Sequence, residues 1–274
     1  MRELLKTDLK RIWKDKLFLV ICIIAGAFAV FSPLLFKGIL ALASTEELME
    51  VEELLGLQIN AKMLFFNSFS LGNNFALVLP ILLTIALCKD FSQGTVRNKI
   101  ICGKSRTEIY FSLFITCAIY MCAVILTQAV LTLLVSLILF EYQPTEFTSK
   151  DFWYLLASIG LEIIVYLFVS ALLVFLIALM KNAGLAIVTY FVVNFVCLIV
   201  GSVTQLVLPY TDPSSAIYSV LEFFNTANVF SSMLIGGGSS YAAKELIYLL
   251  VPNLLLTEIL LIFGMFIFRK KDLK

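Results

Sequence analysis

The sequence contains no histidine, which removes the usual neutral-pH acid/base and the commonest metal ligand from its chemistry. Ser-His catalysis and zincin-type metal sites are excluded. Charge is scarce too: Asp, Glu, Lys and Arg make up 14% of the 274 residues, against about 25% in soluble proteins. The six cysteines, Cys22, Cys88, Cys102, Cys117, Cys122 and Cys197, show no C-x-x-C spacing, and most lie in apolar runs, where Cys packs as a small hydrophobe. What fills the chain is apolar, with 61% hydrophobic residues and a mean hydropathy of +1.01. No water-soluble fold hides that much apolar surface, so the chain is read in membrane spans. Disordered, collagenous, coiled-coil and secreted disulfide classes are excluded with it.

Six apolar stretches reach the length of about 20 helical residues that crosses a bilayer. They are residues 17–36, 63–87, 109–140, 152–180, 183–210 and 246–268. The expected fold is an all-α polytopic membrane protein of six transmembrane helices, with residues 1–274 as one transmembrane domain. The first stretch follows a charged leader too long for a signal peptide and reads as a retained span. With the amino terminus in the cytoplasm, all but four of the 20 Lys and Arg residues fall inside; Lys37, Lys62, Lys150 and Lys244 remain outside. That bias follows the positive-inside rule and puts both termini in the cytoplasm of a multi-pass cell-membrane protein. Trp13, Trp153, Tyr154, Tyr210 and Tyr241, near span ends, read as interfacial belts.

The connecting segments carry pattern of their own. Residues 1–16 place Leu4, Leu5, Leu9, Ile12 and Trp13 on one helical face and Lys and Arg on the rest, as in an amphipathic elbow helix lying in the headgroup region. In the first outer loop, Ser44 and Glu47 have capping-box spacing, and Leu48, Val51, Leu54 and Leu55 form a stripe opposite Glu50, Glu52 and Glu53. The last outer segment, 211–245, has Ile217, Val220, Leu221 and Phe224 at helical spacing, followed by Gly236-Gly237-Gly238. It is too interrupted to cross and reads as a re-entrant outer hairpin between spans five and six. Phe224, Gly236, Gly237 and Gly238 are therefore candidate outer-gate residues.

The connection between spans two and three, Lys89 to Tyr110, is the most informative. Gly103-Lys104-Ser105 looks like the end of a P-loop, but Asn98 stands where the motif needs its first glycine, and no buried strand precedes it. Instead Gly103-Lys104 reads as a turn, and Ser105 with Glu108 as a capping box opening the third span. Thr95 to Cys102 is expected to be a short helix along the membrane surface, exposing Arg97, Asn98 and Lys99 to the cytoplasm.

The stretch D-F-x-x-G-T-V-R-N-K-I-I-x-G-K-S-R-x-x-I-Y, from Asp90 to Tyr110, resembles the coupling-helix region of bacterial ABC type-2 transporter permeases. The end of the chain, Phe268-Arg269-Lys270-Lys271-Asp272-Leu273, resembles how those permeases finish, as do six spans, an elbow helix and a re-entrant outer hairpin. The resemblance implies an exporter membrane subunit whose coupling helix, residues 90–102, is gripped by a separate ATP-binding subunit. Asp90, Phe91, Gly94, Thr95, Val96, Arg97, Asn98 and Lys99 would be the ATPase-coupling residues. ATP and Mg would sit on the partner, leaving this chain no cofactor and no catalytic residue. A second permease copy or a paralogue would complete the pathway within the membrane lipids; nucleic acid is not a partner.

Glu162 and Glu258 are the two carboxylates within expected spans, each roughly 15 Å deep at 1.5 Å per residue. An intramembrane acid costs about 2.5–3.5 kcal/mol on insertion scales and marks a functional candidate facing the bundle interior. With Asn194 they are candidate transport-pathway residues. A protonated, hydrogen-bonded Glu with a structural role is the competing reading. Pro33, Pro80 and Pro252 can kink their spans. An intramembrane enzyme is disfavoured by the missing histidines and the isolated acids. The alternative function is a non-catalytic immunity or sensor protein binding a peptide at its outer hairpin; for an exporter, antimicrobial peptide, lipid and drug all stay open as cargo.

Overall fold

The structure is a computed structural model and describes residues 1–42, 60–68, 74–142, 148–180, 182–230 and 242–270. Among the described residues every regular element is helical: α1 (Arg2–Trp13), α2 (Lys16–Leu42), α3 (Ala61–Asn67), α4 (Asn74–Ser92), α5 (Thr95–Ile101), α6 (Arg106–Leu139), α7 (Ser149–Met180), α8 (Ala183–Val207), a 3₁₀ turn (Leu208–Tyr210), α9 (Ala216–Ala227) and α10 (Ala243–Lys270). Five segments are long and apolar enough to cross a membrane: Lys16–Leu42, Arg106–Leu139, Ser149–Met180, Ala183–Tyr210 and Ala243–Lys270. They match five of the six expected stretches and make this a multi-pass membrane protein. The expected 63–87 span is divided between α3 and α4, and residues 69–73 between them lie outside the described ones. The capping box at Ser44 and the glycines at 236–238 also lie outside the described residues.

α7 is the central post. Of its most apolar stretch 61% is buried, against 17% for α8 and for α10, as expected of a helix apolar all round inside a bundle whose outer helices keep one face for lipid. α10 and α6 pack along α7, and α2 packs along α6. At Gly264 on α10 an added Cβ would stand 2.0 Å from the Tyr110 hydroxyl of α6. Glycine alone permits that approach.

α6 starts as its sequence requires. The Ser105 hydroxyl accepts from the Glu108 amide at 3.2 Å, and the Glu108 carboxylate accepts from the Ser105 amide at 3.2 Å, a complete capping box. α1 lies against α6 through Leu4, Asp8 and Ile12, the stripe at i, i+4 and i+8. Trp13 is exposed and fits a membrane-interface role, as do Trp153 and Tyr210. Tyr154 does not: it is buried against Phe66, ring centres 5.6 Å apart, with the Lys62 ammonium over its ring.

Candidate functional site

α5 is a two-turn helix held between α4 and α6 by two glycines in the left-handed region, Gly94 at φ 69° and Gly103 at φ 80°. Side-chain-bearing residues adopt that backbone only with strain. The helix presents two faces. Val96 is buried, while Arg97, Asn98, Ile101 and Cys102 line up as an exposed stripe. Ile101 is 72% exposed. Thr95 is half-buried at the first turn.

Lys99 departs from the expectation that it is exposed with Arg97 and Asn98. Its side chain is 10% exposed and turns inward to pair with Asp8 Oδ1 at 2.6 Å. The reason lies on α1. Asp8 is 1% exposed, packed in the apolar seam between Leu4 and Ile12, and an unpaired carboxylate there would carry several kcal/mol of desolvation. Asp8 Oδ2 also accepts from the Ser112 hydroxyl of α6 at 2.7 Å, and Arg11 stands 3.9 Å from Oδ1. Arg11 in turn hydrogen-bonds Asp90 at the end of α4. Burial raises the Asp90 carboxyl above its ordinary value, and the Arg11 hydrogen bond and charge oppose that rise.

Asp8, Arg11, Asp90 and Lys99 thus form a neutral quartet joining α1, α4 and α5, with Ser112 adding α6. Beside it Lys89 donates to Asp15 at 3.1 Å, and the Tyr120 hydroxyl donates to the Leu9 carbonyl at 2.9 Å. Arg11 reads in the sequence as one of the Lys and Arg residues on the polar side of an amphipathic helix. The spacing Leu4, Asp8, Ile12 was the available signal, because residues four apart share a helix face.

Behind the quartet the tail is packed in. Phe268 of α10 is fully buried against Phe91 and Tyr110, ring centres 6.1 and 5.7 Å away. Leu87, Leu113, Val174 and Ile177 close around them and leave no room for a water. The Arg106 guanidinium donates to the Arg269 carbonyl at 2.6 Å. Motion of α5 relative to α4 and α6 therefore meets both ionic and packing resistance.

Residues 50–274 match the model of a family described as a protein of unknown function, DUF2705. The chain belongs to the DUF2705 family. No curated protein matches it. In this DUF2705 chain, Asp90, Lys99 and Ser112 fall within the matched residues, whereas Asp8 and Arg11 on α1 precede them.

The two span carboxylates of the DUF2705 chain part company. Glu162 on α7 is 4% exposed and its Oε2 meets no hydrogen-bond partner among the described residues. Tyr166, one turn on, and Tyr190 on α8 are buried as well. Asn194, one turn beyond Tyr190, is 3% exposed with its Nδ2 also unpaired among the described residues. Glu162 and Asn194 are both interior to the bundle.

Glu258 corrects the expectation that both acids face the interior. α10 buries Leu249, Asn253, Thr257, Gly264 and Phe268; one residue past Thr257 is a rotation of about 100°. Glu258 is exposed, among Leu254, Leu255, Ile259 and Ile262. No three His, Cys, Asp or Glu residues gather as metal ligands among the described residues.

At the far end, α9 is capped by Ser215, whose hydroxyl accepts from the Tyr218 amide at 3.1 Å. Its end is pinned by two asparagines that sequence reading missed. The Asn228 amide donates to the Cys197 carbonyl of α8 at 2.6 Å, and the Asn253 amide of α10 donates to the Ala227 carbonyl at 3.0 Å. Lys244 and Glu222 pair at 2.5 Å. Ile217, Val220 and Phe224, expected to form an apolar stripe with Leu221, are exposed. Phe224 also borders a cleft of about 300 Å³ between α8, α9 and α10.

Proposed function

We propose that this chain is the membrane-spanning permease subunit of an ATP-driven exporter of the ABC type-2 kind. α3 and α4 together make the sixth span, α1 is the elbow helix, α9 belongs to the outer re-entrant hairpin, and both termini and α5 face the cytoplasm of the cell membrane. The observation that carries the reading is the two-faced α5. Its outer stripe, Arg97, Asn98 and Ile101, is free to dock a partner, while Lys99, Val96 and the Asp90 beside it anchor the inner side to α1 and α4. A helix so fixed between two spans passes a push on its surface to both, which is how a rigid-body switch is driven.

The partner is an ATP-binding subunit that carries ATP, Mg and the hydrolytic step; this chain is assigned no catalysis. A second permease, identical or paralogous, covers the exposed Glu258, a carboxylate whose contact with lipid near the midplane would cost about 2.5–3.5 kcal/mol. Glu162 and Asn194, both interior, belong to the half-pathway in each copy.

The test is copurification from cells expressing this chain with a cytosolic ATPase subunit. Reversing Arg97 to Glu together with Ile101→Asp is expected to abolish recovery of the ATPase while membrane insertion persists. Undiminished recovery would show that the docking face lies elsewhere. The second reading, a non-catalytic immunity or sensor protein binding a peptide at its outer hairpin, predicts no ATPase partner at all.

A further inference from the structure

We propose that the cleft between α8, α9 and α10 holds one acyl chain of a membrane phospholipid. This rests on the multi-pass reading alone and not on export. The walls are apolar and aromatic, with Phe168, Val196, Val200, Phe223 and Leu256 among them. Its two lining amides give their N–H groups to backbone: Asn228 to the Cys197 carbonyl, Asn253 to the Ala227 and Leu249 carbonyls. The Asn228 Oδ1 accepts from the Phe230 amide at 3.2 Å.

A buried water needs two to four polar partners, and these hydrogen bonds engage the N–H groups of both amides and the Asn228 Oδ1. A void of about 300 Å³ left empty loses the dispersion contacts of every wall. What fills it is set by the solvent at that depth. Val196 and Val200 on α8 precede Tyr210 by roughly 15–21 Å at 1.5 Å per residue. That places the cleft near the midplane of a bilayer core of about 30 Å. The solvent there is acyl chain. The mouth is continuous with it, because Val196, Val200, Phe224 and Leu256 are exposed apolar side chains at the rim. An acyl chain is flexible and apolar and matches such a cleft without a polar anchor, whereas a peptide entering there would bury unpaired amides.

The experiment is native mass spectrometry of the full chain, reconstituted in phosphatidylcholine and released from detergent. One phospholipid retained per chain is expected. Ala227→Phe and Val200→Phe, which fill the cleft from two helices, are each expected to lower that occupancy roughly tenfold, a shift of about 1.4 kcal/mol. Val188→Phe, on an exposed face of α8 outside the cleft, is expected to retain the lipid. Thermal unfolding of each variant identifies any that misfold, and the other cleft variant then decides. Absence of retained phospholipid in the parent overturns the proposal, as does full retention in a folded cleft-filled variant or retention of a peptide mass instead. The ATPase copurification test is independent of all these outcomes.

Discussion

At the α1 end, Asp8, Arg11, Asp90 and Lys99 close a neutral quartet in which only Arg11 keeps appreciable exposure, with aromatic packing behind it. At the α9 end, a short helix is held by two asparagine amides and one largely exposed ion pair above an apolar cleft. Both arrangements fasten a short element to the spans, but with different physics. A buried ion pair is directional and leaves an uncompensated charge when one member is lost. Amide-to-carbonyl bonds beside a loosely filled space let a helix shift a little at small cost. One end resists displacement, and the other accommodates it.

The contrast can be broken most directly at Asp8. Asp8→Ala leaves Lys99 buried without its carboxylate and is expected to destabilise the chain by about 3–5 kcal/mol, read as a lower thermal unfolding midpoint in detergent. Adding Lys99→Met is expected to recover most of that loss. If the double variant is no more stable than the single one, the two side chains are not energetically coupled.

At the other end Asn253→Ala removes one amide from the Ala227 carbonyl and is expected to cost about 1 kcal/mol. Its signature is local. Hydrogen exchange in α9 should quicken while α1 and α5 keep their protection; equal quickening at both ends would erase the distinction between them.

The smallest effect is ionic and exposed. The backbone N–H of Leu17, then Lys89, hold the Asp15 carboxyl below its ordinary 3.8. A lowered carboxylate stabilises above its unfolded value and loses that contribution as pH falls through the folded one. Protection of the α1–α2 turn, corrected for intrinsic exchange, should therefore decline as pH drops below about 3.8, and Asp15→Asn should flatten the profile. Asp90 has the opposite sign. Its raised carboxyl favours the fold most at low pH, and that contribution fades as pH rises through the folded value.

Local chemistry made part of this legible in the sequence. α5 and the Ser105–Glu108 capping box follow from spacing within a few residues, and five span lengths from continuous apolar runs. Sidedness was harder. Lys99 turns inward because of Asp8, more than ninety residues earlier in the chain. Glu162 and Glu258 sit at similar depth in runs apolar on every face, so nothing in the runs tells which acid faces protein. The asparagines pinning α9 have partners on other helices and leave no periodic trace.

The long reach of the α1 contacts also sets an order of assembly. The bonds from Ser112 to Asp8 and from Tyr120 to Leu9 join residues 104 and 111 apart in the chain. Synthesis delivers α1 before α4, α5 and α6 exist, so its buried carboxylate and its apolar stripe must wait for them. α1 is made before these helices and can dock only after them, and a chain stalled before α5 would present Asp8 with neither Lys99 nor Ser112.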